Sequence, residues 1–371
     1  VYKRQTSNLS INFFGLDAER NSIGFRSNRV DQVDPFTERD LIKGEFNNHG
    51  VEVKFLNNYS FFNLRNVFVI GGKYYRSKST SKQGPGSSLD DADFEFYLDK
   101  FPNYTNQSDY MYPNKNIALF GENIIYITDK ISLTPGLRYE NILTRSDGSF
   151  KQINLDAAGN VIYNNTTYEK QNSRRSFFLF GLGLSYKPSK DIEWYSNVSQ
   201  NYRSVTFADI SIINPSYAIN PNISDEKGIT VDLGLRGEIK DLILLDFTLF
   251  NLIYNNRIGF RQKVFKDGSV KSERGNIGNA SSYGLESNID FDLNNLLIKN
   301  DNMSLNYFIN TAIIDSKYTS SYVSGVVGKK VEFVPNLNLK TGIKFGFSNF
   351  IFNIQYSFIS KQFTDSSNAS E

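Results

Sequence analysis

Apolar and polar side chains alternate along this chain in blocks of about ten residues. In Ile131 to Glu140, Ile131, Leu133, Pro135, Leu137 and Tyr139 share one parity; Ser132, Thr134, Gly136, Arg138 and Glu140 share the other. Tyr283 to Leu293 repeats the rule, with Leu285, Ile289, Phe291 and Leu293 against Gly284, Glu286, Asn288, Asp290 and Asp292. Phe178, Phe180, Leu182, Leu184 and Tyr186 alternate with Gly181, Gly183 and Ser185 in the same way. A period of two sends neighbouring side chains to opposite faces of a strand. Repeated this often, it predicts an all-β chain forming a transmembrane antiparallel β-barrel, apolar side to lipid and polar side to a watery lumen. About thirteen strands are expected, centred near Ser10, Lys54, Val69, Gly121, Leu137, Gly181, Asn197, Asp232, Leu249, Asn288, Ile309, Thr341 and Ile354.

The connections fall into two alternating classes. Short turns rich in Asn, Asp, Gly, Lys or Ser are expected around Asn63, Asp129, Ser189, Lys240, Asn295 and Ser348. Long loops are expected over roughly 17–48, 77–113, 145–172, 203–225, 261–275 and 319–331. Short turns at one rim and long loops at the other are the pattern of an outer-membrane barrel. Six of each make the first and last strands run the same way, so an antiparallel wall cannot close between them. An open edge in lipid leaves backbone groups unpaired at several kcal/mol each. The expectation is therefore a partial barrel domain over 1–371, continued at both ends; the start at Val1 rather than Met and the loop-like final residues fit it.

Composition narrows the picture. Only 39% of the 371 residues are hydrophobic, yet 15% are aromatic, as suits strands that meet lipid at every second position and carry aromatic girdles. No apolar run approaches the ~18 residues of a membrane-spanning helix. A net charge of +2, from 41 basic and 39 acidic residues, points to no nucleic acid. The chain has no cysteine, which excludes disulfides, thiolate metal sites and cysteine nucleophiles.

An ordered series of segments resembles the barrel of TonB-dependent outer-membrane receptors. Asn116 to Asn123 followed by Leu133 to Glu140 resembles one family hairpin, and Trp194 to Arg203 a family strand. Asn220 to Lys227 with Asp232 to Gly237 resembles another, although Asp225 stands where the family usually has proline. Asn276 to Ala280 with Tyr283 to Glu286 resembles the start of a later strand, and Val334-Pro335-Asn336 the proline that precedes one. The resemblance covers roughly 115–365 well and the first 115 residues less distinctly. It implies a barrel of about 22 strands, of which about six would precede Val1 and about three would follow Glu371. It also implies a plug domain and a segment contacting the TonB complex, neither recognisable in this chain. Asp40-Leu41-Ile42, Gly50 to Lys54 and Gly71 to Arg76 look similar to the ferric dicitrate receptor branch. The implied function is binding and active import of a ferric chelate, ferric dicitrate or another siderophore, across the outer membrane of a Gram-negative bacterium. No bond is made or broken, no cofactor is expected, and outer-membrane lipid is a partner. Another cargo (a vitamin, haem or an oligosaccharide), a passive porin-like barrel and a soluble all-β protein are the alternatives.

Candidate chemistry is sparse. His49 is the only histidine, so it belongs to no metal or triad set, and a polar residue at a strand start is its simplest role. Gly84-Pro85-Gly86 is expected to be a loop bend, because no helix follows and Pro85 lacks a donor. The run Asp90-Asp91-Ala92-Asp93-Phe94-Glu95 lacks the spacing of a cation loop and is expected to be solvated. Parity places Lys73, Arg138 and Arg203 on the polar face near the ends of strands that run to long loops. Iron–citrate and most siderophore complexes are anionic, and arginine's planar fork suits carboxylates. Lys73, Arg138 and Arg203, with the nearby Tyr75 and Tyr202, are the candidate ligand contacts. Trp194 and Tyr139 fall on the lipid parity, and Gly181, Gly183 and Gly234 on the lumen parity, where close approach of other backbone, such as a plug, is expected.

Overall fold

The computed structural model describes residues 6–25, 31–88, 93–206, 209, 217–265 and 268–369. Fourteen strands form one sheet: β1 Ser7–Gly24, β2 Asp40–Phe61, β3 Leu64–Pro85, β4 Gln107–Tyr126, β5 Ile131–Leu155, β6 Val161–Tyr186, β7 Ile192–Arg203, β8 Tyr217–Ile219, β9 Glu226–Ile239, β10 Ile243–Val264, β11 Val270–Asp292, β12 Met303–Ser321, β13 Leu337–Phe347 and β14 Phe350–Ile359. Thirteen of them run as a continuous antiparallel meander, and all thirteen expected centres fall inside them. Among the described residues β1 and β14 are the two edges of that sheet. The addition is β8, three residues paired parallel to Ser272–Arg274 of β11.

Turns at one rim are short, as expected. Phe61 pairs with Leu64 across a two-residue turn in which Phe62 and Asn63 take φ of 51° and 61°. That double positive φ twists with the strands, and asparagine tolerates it best. The turn near Asn295 is instead a short π-helix, Asn294–Ile298.

The opposite rim departs from expectation. Strand takes up most of the anticipated long loops 17–48, 145–172 and 261–275, and the connection inside 145–172 shrinks to residues 156–160, whereas in 77–113 and 319–331 strand reaches only the flanks. There the Asp156 carboxylate accepts from the Ala158 and Asn160 amides at 2.9 and 2.8 Å, while Gly159 takes φ of +85°. β5 and β6 hold 25 and 26 residues. At roughly 3.3 Å per residue each extends some 85 Å, whereas about ten tilted residues cross a bilayer. Much of this hairpin therefore stands clear of the membrane. Its alternation weakens there because both faces meet water.

The apolar parity lies outside. On β6, Phe178, Phe180, Leu182 and Leu184 are 56%, 57%, 47% and 46% exposed with no protein layer over them. The sizeable packed cluster is small and lies toward the long-hairpin rim: Ile277, Ala280, Tyr318, Val326 and Val331, flanked by Tyr254, Val323 and Val334. It holds the β12–β13 connection against β12, where the Tyr318 and Val331 amides donate to the Lys329 and Ser316 carbonyls. A soluble protein of this size would bury its Phe and Leu; this one presents them as a belt.

Candidate functional site

Cross-strand register assembles the inner wall of β1 to β5 around the expected cations. Lys73 pairs with Glu52 on one side and Ala118 on the other, and Ala118 with Glu140. Tyr75 pairs with Gly50, and Gly50 with Phe14. A Cβ on Gly50 would overlap the Phe14 ring, so glycine is what lets that ring lie along the wall. Phe14 then stacks on Tyr75, ring centres 6.2 Å apart, and the Lys73 ammonium sits 5.0 Å from the Phe14 centre. Arg138 completes the patch, with its Nε donating to Glu140 at 2.5 Å and its guanidinium 5.4 Å from the Phe120 centre. Glu140 also accepts from the Asn116 amide at 2.8 Å. Lys73, Tyr75 and Arg138 thus share one inner surface of aromatic faces and positive charge. Phe14 and Gly50 belong to it too; only the β1–β2 register, invisible in sequence, could have nominated them.

Tyr202 and Arg203 lie about four strand spacings away along the wall, roughly 20 Å from Lys73. The β6–β7 ladder ends at Gly181–Ser199, while β7 stays paired to β9 as far as Arg203–Glu226. Above that row the wall parts. Tyr202 bridges the parting, its ring stacked 3.7 Å from Phe177 and its hydroxyl donating to Asp225. Arg175 reaches the same carboxylate at 2.6 Å.

Arg203 forks between two carboxylates. Its Nη2 meets both oxygens of Asp209 at 3.0 Å and its Nη1 meets Glu226 at 3.2 Å. Asp209 is fully buried and also accepts from Arg274 Nε at 2.6 Å and from the Thr206 amide and hydroxyl at 2.8 Å each. Burial pushes this carboxyl up, but the Thr206 and Arg274 hydrogen bonds outweigh it and hold the group below its usual range. The Arg203 side chain remains 40% exposed. Neither Asp209 nor Arg274 carries a sequence signal of its own, and Glu226, although it lies in the family-like segment Asn220 to Lys227, shows no partner there, because their meeting depends on how the rim folds back.

Other expected features resolve simply. His49 lies in the middle of β2, not at a strand start, 3.9 Å from Asp17 and exposed. Asp90, Asp91 and Ala92 lie outside the described residues, and Asp93 accepts from Tyr97 at 2.8 Å. Among the described residues no three His, Asp or Glu side chains converge as metal ligands. What crowds Gly234 is the ring of Tyr195, whose hydroxyl meets Asp246 at 3.0 Å and Thr248 at 2.6 Å. Close approach is real there, but a side chain makes it. Trp194 and Tyr139 do stand on the outer face; Trp194 is exposed, and Tyr139 packs against Phe178 at 5.1 Å.

The sequence matches the family model described as TonB dependent receptor-like, beta-barrel, over residues 2–370. The chain belongs to that family. An uncharacterized TonB-dependent receptor of Haemophilus influenzae is 26% identical over 216 residues, covering 56% of this chain and 54% of the relative. Among solved structures, the ferric citrate transporter FecA in its unliganded form superposes with a TM-score of 0.67 at 18% identity, over 98% of this chain and 48% of FecA. The ferric yersiniabactin uptake receptor FyuA from Yersinia pestis gives 0.64 at 16%, over 98% and 48%. At those identities the likeness is one of fold. The chain spans about half the length of the relatives it matches.

TonB-dependent receptors reside in the Gram-negative outer membrane, which agrees with the exposed apolar belt of this barrel wall. Among the described residues no helix is long and apolar enough to cross a membrane. In barrels of this kind the short turns face the periplasm and the long hairpins the outside. The inner patch around Lys73 and the frame around Asp209 accordingly lie toward the external half of the lumen.

Proposed function

We propose that this wall belongs to an active-transport receptor that binds an anionic ferric chelate from outside and releases it inward under TonB coupling. The observation that carries the reading is the inner patch of Lys73, Phe14, Tyr75 and Arg138, on a family barrel and below hairpins that reach far beyond the membrane. Lys73 has an aromatic neighbour but no ion pair among the described residues, so its charge is available. A negatively charged chelate gains from such a cation in a confined lumen, and the Tyr75 and Phe14 faces suit its organic shell. Tyr202 and Arg203 are proposed to meet the ligand from the other side with the surface that Asp225, Asp209 and Glu226 leave open. Ferric dicitrate is the first cargo to test, given the resemblance of Asp40 to Arg76 to that branch; other siderophores follow. The wall is proposed to be completed by strands outside 1–371, and the TonB contact to be made by a plug outside it.

Binding to the full-length receptor tests this directly. Ferric dicitrate and several ferric siderophores should be compared with haem, cobalamin and a maltooligosaccharide. Saturable binding of one ferric chelate is expected, weakened about tenfold by Lys73→Ala at low ionic strength and less at high salt. Cellular uptake of that chelate should collapse when the proton-motive force is dissipated. Binding of a vitamin or an oligosaccharide and of no ferric chelate would refute the cargo; uptake indifferent to the proton-motive force would favour a passive pore.

A further inference from the structure

Several inward cations have a carboxylate, Arg138 with Glu140, Lys54 with Glu52 and Arg203 with Asp209 and Glu226, while Lys73 makes no ion pair among the described residues. The outer face above the belt differs. Register aligns His49, Arg76, Lys115, Leu143 and Arg174 in one row across β2 to β6. Arg145 stands two residues beyond Leu143 on the same face. Arg76, Lys115, Arg145 and Arg174 are exposed, and among the described residues none has an ion pair or a side-chain hydrogen bond. A recess of about 400 Å3 opens between Tyr74, Arg76, Lys115, Leu143 and Arg145. Of the outer-face acids in the rows above, Asp147 is held by Lys170 at 2.9 Å and Asp17 lies 3.9 Å from His49, while Glu45 stands on β2 two rows above Arg76.

Height decides what such a cluster can meet. The next row down is Tyr74, Ile117, Asn141 and Ser176, followed by Leu119, Tyr139 and Phe178, then Ile70, Leu137 and Phe180, the apolar belt itself. One row is two residues, about 7 Å along a strand and about 5 Å in height at a tilt near 40°. Arg76 and Lys115 thus stand one step above apolar side chains and Arg174, with Ser176 beneath it, two steps above Phe178, at headgroup level on the long-hairpin side. The Lys115 ammonium lies 5.4 Å from the Tyr74 ring centre, directed over the top of the belt.

We propose that Arg76, Lys115, Arg145 and Arg174 form a binding site for the phosphate-bearing headgroup of an outer-leaflet lipid whose acyl chains lie on the belt below. Guanidinium forks take phosphate oxygens in pairs, and an ammonium adds a compact third charge. Unbalanced cations in register across several strands are costly by mutual repulsion, and an anion shared among them removes that cost. Apolar surface begins one row beneath on β3 and β4 and two rows beneath on β5 and β6, so a lipid satisfies both halves where a soluble anion would satisfy one. The site concerns the outer wall and is independent of the cargo read for the lumen.

Lipid retention by the full-length receptor, purified in nonionic detergent and followed by native mass spectrometry, tests the site. The probes are bisphosphorylated lipid A, the same lipid dephosphorylated, and inorganic phosphate as competitor. The combined variant Arg76→Gln, Lys115→Gln, Arg145→Gln and Arg174→Gln should weaken the phosphorylated lipid by several hundredfold, at about fivefold per cation near a charged headgroup. A control carrying Lys130→Gln, Lys190→Gln, Lys240→Gln and Lys299→Gln, at the short-turn rim, should retain wild-type affinity, and the dephosphorylated lipid should not distinguish the proteins. Should the fourfold variant lose heat-modifiable gel migration, Arg76→Gln with Arg145→Gln serves instead, with about a thirtyfold loss expected. Equal retention by wild type and variant overturns the proposal, as does equal affinity for the dephosphorylated lipid or an equal loss in the control. Displacement by inorganic phosphate at concentrations matching the lipid would also overturn it, in favour of a soluble anion.

Discussion

Asp209→Asn is the sharpest perturbation of the rim. The native carboxylate is fully buried and takes hydrogen bonds from Arg203, Arg274 and Thr206, so it alone holds two guanidiniums together. Removing one partner of a buried ion pair costs about 3–5 kcal/mol, because the remaining charges lose their counterion. Here the two arginine side chains are 40% and 21% exposed, and water takes up part of the loss. Discounting for that screening leaves about 2–3 kcal/mol, or roughly 30- to 150-fold in a local opening equilibrium. Amide hydrogen exchange reads it. The Thr206 amide donates to Asp209, and the Asn220 amide donates to the Arg274 carbonyl at 2.9 Å. Both should lose protection by that factor in Asp209→Asn, while β13 and β14, remote from the frame, keep theirs. Unchanged protection at Thr206 and Asn220 would show that the Arg203–Asp209–Arg274 frame does not stabilise the rim.

The same carboxyl sets a pH dependence. Burial raises it and the Thr206 and Arg274 hydrogen bonds lower it further, so its folded value lies below the unfolded one. Its contribution is complete above about pH 4 and is lost only as pH falls through the lower folded value, so intrinsic-rate-corrected exchange at Thr206 should be flat from neutral pH to about 4 and rise below. A loss of protection setting in near pH 6 would contradict the assignment. Gly234→Val should drive the Tyr195 ring off the wall and break its bonds to Asp246 and Thr248, costing about 2–4 kcal/mol. The heat-modifiable band should then convert at a lower temperature; an unchanged conversion temperature would mean that the ring does not need the glycine. Trp194, the only tryptophan in 1–371, should emit as a lipid-exposed indole once other tryptophans of the parent are replaced, quenched by brominated acyl chains and not by iodide. Iodide quenching would place that face of β7 in water.

The residues in and near the membrane declared themselves. Wherever one side of a strand meets hydrocarbon, alternation is compulsory, and so the thirteen strands were legible from Ser10 to Ile354. The turn at Asn63 was legible for a comparably local reason, positive φ at a two-residue hairpin. Beyond the bilayer this pressure vanishes. Residues 161–172 are as fully strand as 178–186, yet rich in Asn, Thr and Gln on both faces, and they read as loop. The three-residue β8 carries too little pattern to be seen at all.

Side-chain direction was likewise local, and partnership was not. Parity alone placed Lys73, Arg138 and Arg203 inward and Trp194 outward. Only the folded wall decided that Lys73 rests on Phe14 and that Arg203 shares Asp209 with Arg274, because each meeting joins residues from different strands or from a rim that folds back; Arg138 and Glu140, two apart on β5, were neighbours on one face already. The unpaired row Arg76, Lys115 and Arg174 shows the same division. Its charges are printed in the sequence, but their alignment at one height exists only once the register of β3 to β6 is set. Periodicity follows from the solvent on either side of a strand, so the chain carries it in itself; coincidence of distant residues follows from hydrogen-bond register, which belongs to the sheet.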